Sequence, residues 1–163
     1  MAIIIVIDTC VLRRALEYEK SIKIDDKSKK AYEIIIEFLQ RKDTIFVANS
    51  ETKCEYYRHL ENLKNEIRRK RIYPQSFGLL RSLMFRLRTV PDRNHSFEFT
   101  GKPIDRKDYY LLNSAKSGAL MFKEPVAFIL TFAEDVYRAG FAKNGQGVEI
   151  LILNLETSSI TKS

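Results

Sequence analysis

Acidic residues that directly follow aliphatic segments are the residues of this sequence whose type and spacing could do chemistry. Asp8 ends a run of five β-branched residues, Ile3–Ile7, and Glu134 and Asp135 come shortly after a second aliphatic run, Val126–Thr131. In open parallel sheets ligands bind outside the carboxyl ends of the strands, so carboxylates placed there converge. Their mutual repulsion raises their pKa values unless a cation neutralises them, and an all-oxygen site suits Mg²⁺ or Mn²⁺.

Each of these carboxylates also has a purely structural interpretation. Asp105 and Asp108 form a D-x-x-D arrangement of the kind that caps a helix, and Glu134 and Asp135 suit the positive end of a helix dipole. Asp8 is the hardest to explain in this way, because a carboxylate that terminates a buried strand is drawn towards the core and needs a partner.

Four segments in order resemble the motifs of the PIN domain family, which consists mostly of metal-dependent, RNA-cleaving nucleases and includes many prokaryotic toxins. The opening segment IVIDTCVL (residues 5–12) is similar to the family's first motif, and EYYRHL (residues 55–60) is similar to its second. The segment DRKDYYLLNSA (residues 105–115) resembles the third motif, and FILT (residues 128–131) with the acids that follow resembles the fourth. The resemblance extends in order over residues 3–153.

This resemblance implies that Asp8, Glu55, Asp108 and Asp135 hold one or two Mg²⁺ or Mn²⁺ ions, with Glu134 or Asp105 as further candidate ligands. The implied activity is hydrolysis of RNA phosphodiester bonds by an endoribonuclease. Thr9 and Thr131 would orient a carboxylate or a water molecule, although strand-end hydroxyls are also common without such a role.

Two departures from the family pattern support an alternative function. Cys10 stands where the family has Asn or Ser, and Ala133 stands where its usual fourth Asp would fall. The alternative is a catalytically impaired PIN-like module that binds RNA or scaffolds a complex. A small nucleotide-binding α/β domain is a third interpretation, which the absence of a Gly-rich loop after any predicted strand disfavours.

The elements that must position these residues alternate between strands and helices. Strands are predicted at residues 3–7, 44–48, 126–131 and 148–153, and helices at residues 11–18, 31–39, 51–70, 76–88, 105–116 and 134–139. Gly118 is predicted to close the fifth helix, and residues 21–30 and 90–103 are predicted to be connections. The pattern predicts one α/β domain over residues 1–163, a three-layer α/β/α fold with a mostly parallel sheet of four to five strands.

Basic residues concentrate in the middle third of the chain and predict a nucleic-acid-binding surface. The chain has 28 Lys and Arg residues against 21 Asp and Glu residues, a net charge of +7 that attracts polyanions. Tyr56, Tyr57 and Tyr73 are candidates for stacking on the bases of single-stranded RNA. The predicted backbone-binding residues are Arg68, Arg69, Lys70, Arg71, Arg81, Arg86 and Arg88.

Composition and hydropathy restrict the class of protein. Two cysteines without a CxxC spacing and two histidines disfavour a zinc site, and both cysteines are predicted to be buried and hydrophobic in role, although a disulfide between them stays open. The aliphatic start is far shorter than a membrane span and lacks the features of a signal peptide, so we expect a cytoplasmic protein. Candidate protein partners are an antitoxin and a second copy of the chain, docked through the apolar stripe of the fourth predicted helix.

Overall fold

The computed structural model describes residues 1–20, 26–69, 73–99, 105–132, 142–143 and 147–155. Its first half contains β1 (Ile3–Ile7), α1 (Thr9–Glu17), α2 (Asp26–Gln40), β2 (Thr44–Ala48) and α3 (Ser50–Arg68). Its second half contains α4 (Pro74–Arg86), β3 (Arg88–Thr89), β4 (Glu98–Phe99), a 3₁₀ turn (Arg106–Asp108), α5 (Tyr109–Met121), β5 (Val126–Thr131), β6 (Ala142–Lys143) and β7 (Glu149–Asn154).

A single mixed sheet joins all of these strands in the order β3-β2-β1-β5-β7-β6-β4. The pairings from β3 to β7 are all parallel, whereas β6 pairs antiparallel with β7 and β4 pairs antiparallel with β6. The predicted three-layer α/β fold with a mostly parallel sheet is therefore confirmed. From β1 the chain first builds outwards to β2 and β3 and then returns to place β5 on the other side, so the strand order reverses between β1 and β5.

Strand β1 is buried on both faces, which explains its uninterrupted aliphatic sequence. Ile5 and Ile7 pack into a core formed with α1, α2, α3 and α4, whereas Ile4 and Val6 pack into a second core formed with α5. Because the strand is covered on both sides, the point where it ends is fixed firmly within the fold, and that point carries Asp8.

Gly118 lies inside α5 and does not close the helix as predicted. A Cβ atom at this position would lie 2.9 Å from Val47 Cγ2 and 3.0 Å from Ile4 Cγ2, both in the buried sheet. The glycine is therefore required by the close approach of the helix to the sheet. The actual end of α5 is Met121, and the helix begins at Tyr109 after a 3₁₀ turn.

We expect Gly118→Ala to lower the free energy of unfolding by about 1–3 kcal/mol, because the added methyl group overpacks a stiff valine. Gly78→Ala is the matched control, since a Cβ atom at Gly78 in α4 would have no atom within 4 Å. The control should raise stability by up to about 1 kcal/mol through helix propensity. Urea unfolding followed by circular dichroism measures both values, and equal effects of the two changes would contradict the packing argument.

Several other elements differ from their predicted positions. Helix α2 begins at Asp26, within the segment expected to be a connection, and β4 lies within the expected loop. The predicted helix at residues 134–139 lies outside the described residues. The helices predicted at residues 11–18, 51–70 and 76–88 agree with α1, α3 and α4 to within about two residues at each end, the usual uncertainty of helix boundaries, whereas the helix predicted at residues 105–116 differs from α5 by four and five residues.

The apolar stripe of α4 faces the interior and is not a free docking surface. Leu80 is fully buried and Leu87 is 8% exposed, while Phe77 and Met84 are partly buried against the same core. Because the stripe packs against the core, it is not the free surface that the homodimer prediction required; a homodimer by another surface stays a prediction. The prediction that both cysteines are buried is wrong for Cys54, which is exposed; both thiols are free. In the portion of the chain with described coordinates, no helix is long and apolar enough to span a membrane.

Candidate active site

Asp8 lies where β1 ends and α1 begins, at the point where the strand order of the sheet reverses. It caps α1, with its Oδ1 atom 3.5 Å from the backbone nitrogen of Cys10, which is a long and weak hydrogen bond. The hydroxyl of Thr131, the last residue of β5, donates a 2.8 Å hydrogen bond to Asp8 Oδ2. The parallel register pairs Ile7 with Leu130, and this pairing places Asp8 beside Thr131. One strong bond and one weak bond leave the carboxylate with further lone pairs, because it has about four acceptor sites.

Glu55 faces Asp8 from helix α3. The side chain of Asn49 caps this helix by accepting a 2.8 Å hydrogen bond from the backbone nitrogen of Thr52, so α3 begins directly at the carboxyl end of β2. Glu55 follows in the second turn, where its Oε2 atom accepts a 3.2 Å hydrogen bond from the hydroxyl of Thr9. Thr9 and Thr131, the two threonines that the resemblance suggested would orient a carboxylate, therefore each donate a hydrogen bond to one of the two carboxylates.

A cleft of about 770 Å³ opens above these carboxylates. Its acidic wall consists of Asp8, Glu51 and Glu55. Its basic side chains are Arg13, Arg58 and Lys107, all exposed, and none of the three makes an ion pair or a side-chain hydrogen bond with another described residue. The remaining lining residues are Thr9, Cys10, Asn49, Thr52, His59, Asn62 and Tyr110. Unpaired cations around an acidic centre give the cleft the charge pattern expected for a phosphate ligand.

Two tyrosines support the acidic centre from below. Tyr56 is 1% exposed and donates a 2.8 Å hydrogen bond to the carbonyl oxygen of Ile7, which fixes the end of β1 to helix α3. Burial raises the pKa of Tyr110 to about 12, and the negative charges of Asp8, Asp108 and Glu55 act in the same direction. Both hydroxyls therefore keep their protons at neutral pH and act as donors.

Cys10 and His59 also line the cleft, and burial is the largest influence on both. It raises the pKa of the Cys10 thiol, and the charge of Asp8 raises it further. It lowers the pKa of His59, with the neighbouring charge of Arg13 acting in the same direction. Both influences favour the protonated form of the Cys10 thiol.

The remaining predicted acids are placed differently. Asp108 does not line the cleft, although its charge acts on Tyr110. Asp105 is exposed at the start of the 3₁₀ turn, and neither it nor Asp108 makes a side-chain capping hydrogen bond, so the capping interpretation of the D-x-x-D pattern is wrong. Asp135, Glu134 and Ala133 lie outside the described residues.

The predicted basic surface is only partly what the sequence suggested. Arg86 is a structural residue, since its guanidinium donates to the backbone carbonyls of Phe38, Leu39, Arg41 and Thr44. Arg68, Arg69, Arg81 and Arg88 are exposed, but none of them lines the cleft. Lys70 and Arg71 lie outside the described residues.

The tyrosines proposed for base stacking also separate. Tyr56 belongs to the core and cannot stack on a base, while Tyr57 is 50% exposed. Tyr73 is partly buried, with the amine of Lys20 5.0 Å from its ring centre. Tyr57 is therefore the candidate of the three with an open ring.

The oxygen-rich donor set fits a hard cation such as Mg²⁺ or Mn²⁺ in part. Asp8 and Glu55 present carboxylate oxygens to the same space, and Mg²⁺ is commonly held by one or two carboxylates with waters and substrate phosphates completing its shell. Across the residues that the structure describes, no three His, Cys, Asp or Glu side chains form a group able to hold a metal ion. The donors in hand thus suit an ion that shares its ligands with water and substrate.

Sequence reasoning missed the basic side chains of the cleft itself. Arg13 lies on α1, Arg58 lies on α3 and Lys107 lies in the 3₁₀ turn. Arg13 and Lys107 each have one basic neighbour in the sequence, Arg14 and Arg106, and Arg58 has no Lys or Arg beside it. Glu51 had a usable signal, because it lies four residues before Glu55 and therefore on the same helix face. Searches against protein-family models, curated proteins and solved structures give no significant match to the chain.

Proposed function

We propose that this chain is a metal-dependent nuclease of the PIN type that hydrolyses phosphodiester bonds in single-stranded RNA. The observation that carries the proposal is the pair Asp8 and Glu55, each bound by a threonine hydroxyl and both lining one cleft with three cations that have no partner among the described residues. The cleft lies outside the carboxyl ends of β1 and β2, and the carboxyl ends of parallel strands are the usual ligand site of open α/β sheets.

The cations and the carboxylates have complementary roles in this proposal. Arg13, Arg58 and Lys107 bind the phosphates on either side of the scissile bond and offset the repulsion between RNA and the acidic wall. Asp8 and Glu55 hold Mg²⁺ or Mn²⁺, which when bound would polarise a phosphate oxygen and lower the pKa of a coordinated water. Asp135 and Glu134, which lie outside the described residues, stay proposed ligands, whereas the described Asp108 and Asp105 do not join Asp8 and Glu55 in a metal-binding group.

The protonated hydroxyl of Tyr110 and the bound orientation of Asp8 belong to the same arrangement. Thr131 holds Asp8 Oδ2 towards the end of β5, and Oδ1 lies 3.5 Å from the backbone nitrogen of Cys10 at the start of α1. Tyr110 supplies a donor, and not a negative charge, at the edge of the acidic wall. The toxin role, with an antitoxin protein as partner, is part of the proposal and follows from the resemblance alone, whereas the cytoplasmic location stays a prediction from the sequence.

The direct test is cleavage of a labelled single-stranded RNA by the purified chain. We expect cleavage with Mn²⁺ or Mg²⁺ and none after chelation with EDTA, and cleavage products should include internal fragments. Cleavage that proceeds equally in EDTA would contradict the proposed metal-dependent reaction.

A catalytically impaired RNA-binding module is the second candidate, and one observation favours it. No third acidic, histidine or cysteine ligand joins Asp8 and Glu55 as a metal group within the part of the chain that the structure describes. The two candidates separate when RNA binding and RNA cleavage are measured on the same preparation, because the second predicts binding without metal-dependent cleavage.

We expect Thr131→Val to slow cleavage by roughly 10-fold with little change in RNA affinity, because mutations of groups that orient metal ligands typically cost 10–100-fold. Valine keeps the shape and strand propensity of the buried threonine but cannot donate to Asp8. Single-turnover rates and binding constants from the same samples give this separation.

The matched control for that change is Thr44→Val at the start of β2. Thr44 is 4% exposed, and its hydroxyl has no hydrogen-bond partner among the described residues. Its removal should leave cleavage unchanged and raise the free energy of unfolding by about 1 kcal/mol. Equal losses of activity in both valine variants would show that the Thr131 hydroxyl does not position Asp8.

A further inference from the structure

A second depression continues from the cleft along the groove between α1 and α3. Its volume is about 400 Å³, and it shares Arg13, His59 and Asn62 with the cleft. Its other lining residues are Leu16, Glu17, Lys20, Leu63, Asn65, Glu66 and Arg69. The two depressions therefore form one channel. We call the second depression, including the residues that it shares with the cleft, the α1/α3 groove.

Among the described residues, two cations of the α1/α3 groove have no acidic partner. Glu66 pairs with Lys20 at 2.9 Å, and Glu17 lies 4.0 Å from Arg14. The side chains of Arg13, at the near end, and Arg69, at the far end, make no ion pair or hydrogen bond with the rest of the described chain. Both acids are thus at least partly neutralised, and the groove keeps a positive charge at each end.

The floor of the groove suits a sugar and base more than a second charged chain. Leu16 and Leu63 are buried and contribute apolar surface, whereas Asn62 and Asn65 expose amides that donate and accept hydrogen bonds. Amides and apolar surface between fixed cations are a pattern that tracks a single strand without reading its sequence.

The distance along α3 from Glu55 in the cleft to Arg69 at the far end of the groove gives the length of strand that the cleft and the groove hold together. Glu55 and Arg69 are 14 residues apart along the chain, which corresponds to about 21 Å at the helical rise of about 1.5 Å per residue. A stacked strand advances by about 3.4 Å per phosphate, so this distance spans about six nucleotides.

We propose that the α1/α3 groove binds the arm of single-stranded RNA that extends from the acidic cleft, with its phosphates held by Arg13 and Arg69. This inference rests on the proposed function, since it assumes that the strand enters the cleft beside Asp8. It moves the RNA path away from the exposed arginines of α4 and β3, which the sequence had favoured.

The test measures RNA binding without cleavage, by fluorescence anisotropy in EDTA. The probes are labelled trinucleotide and nonanucleotide oligouridylates, and the variants are Arg69→Ala, Arg13→Ala and the control Arg88→Ala. We expect Arg69→Ala to weaken nonanucleotide binding by about 5-fold and to reduce its salt slope by about 0.7, without affecting the trinucleotide. Arg13→Ala should weaken both probes, and Arg88→Ala neither.

Two results would overturn the groove assignment. One is an Arg69→Ala variant that binds the nonanucleotide as tightly as the Arg88→Ala control does. The other would assign the groove to an acidic polypeptide: oligoglutamate displaces the RNA, and Arg69→Ala loses binding of oligoglutamate but keeps binding of RNA. Neither result depends on metal or cleavage. If the nuclease proposal is wrong and the groove assignment is right, RNA binding depends on length as expected but no metal-dependent cleavage occurs.

Discussion

Asp8→Asn is expected to reduce Mn²⁺-dependent cleavage of single-stranded RNA by at least about 100-fold while leaving the chain folded. The substitution removes the negative charge that would hold the metal, and with the metal the positive charge that would offset the charge developing on the phosphate oxygens; losses of such electrostatic contributions typically cost 10²–10³-fold. Asparagine is as good a helix cap as aspartate, so α1 keeps its start. The amide oxygen can still accept the hydrogen bond from Thr131.

This substitution separates the two roles that the structure gives to Asp8. The residue caps α1, and a purely structural role would be preserved in the asparagine variant. Asp8→Ala removes the cap as well and leaves the buried Thr131 hydroxyl without this acceptor, so it should also lower the free energy of unfolding by about 1–3 kcal/mol. Single-turnover cleavage and thermal unfolding of the two variants distinguish charge from capping.

Glu33→Gln supplies the control for carboxylate loss. Glu33 is exposed on α2, and its ion-pair partner among the described residues is Lys29 at 3.9 Å. We expect its cleavage rate to match that of the unchanged chain within about twofold, since exposed ion pairs contribute little. An asparagine variant of Asp8 that cleaves as fast as this control would exclude Asp8 as a catalytic residue.

The parts of the fold that the sequence predicts well are those in which burial dictates residue type. The bounds of β1, β2 and β5 agree with the aliphatic runs residue by residue, because strands covered on both faces admit few polar residues. The position of Asp8 at the sheet edge follows from the end of such a run.

The features that the sequence does not predict depend on contacts between distant segments. The two-residue strands β3, β4 and β6 carry no pattern of their own and exist through pairing with neighbours. Gly118 has the composition of a helix end, but its role is set by Val47 and Ile4 across the interface. Tyr56 resembles a surface tyrosine in sequence, yet its hydroxyl reaches the carbonyl of Ile7 in the core.

The acidic site shows the same division. The order of its carboxylates along the chain indicates which residues to examine, and the structure brings Asp8 and Glu55 to one cleft. The charges that make the cleft suitable for a polyanion come from Arg13, Arg58 and Lys107, three separate elements whose convergence only the fold determines. A dense run of arginines can be seen in the sequence, whereas the placement of a cation beside an acid depends on how the chain folds.

Arg86→Ala is expected to lower the free energy of unfolding by about 3 kcal/mol, although Arg86 had been predicted to bind nucleic acid. Helix α2 ends at Gln40, so the carbonyls of Phe38 and Leu39 belong to its last turn, where the Phe38 carbonyl also accepts a 3.2 Å hydrogen bond from the backbone nitrogen of Arg41. Arg86 Nη1 donates to both, and Nη2 donates to Arg41 at 2.9 Å and to Thr44 at 2.7 Å. Hydrogen bonds from a charged donor each contribute about 1.5–3 kcal/mol, and water replaces part of that loss at the exposed carbonyls.

The guanidinium of Arg86 also lies over the ring of Phe46, 5.3 Å from its centre, in the first core of the sheet. Arg86→Lys keeps the charge but cannot reproduce a planar fork with several donors, so we expect it to recover less than half of the lost stability. Arg81→Ala, five residues earlier on the same helix and exposed, should change stability by less than about 0.5 kcal/mol. Urea unfolding compares the stability of the three variants. Below its unfolding transition, Arg86→Ala should bind RNA as tightly as Arg81→Ala does. A selective loss of RNA binding with normal stability would return Arg86 to the nucleic-acid surface.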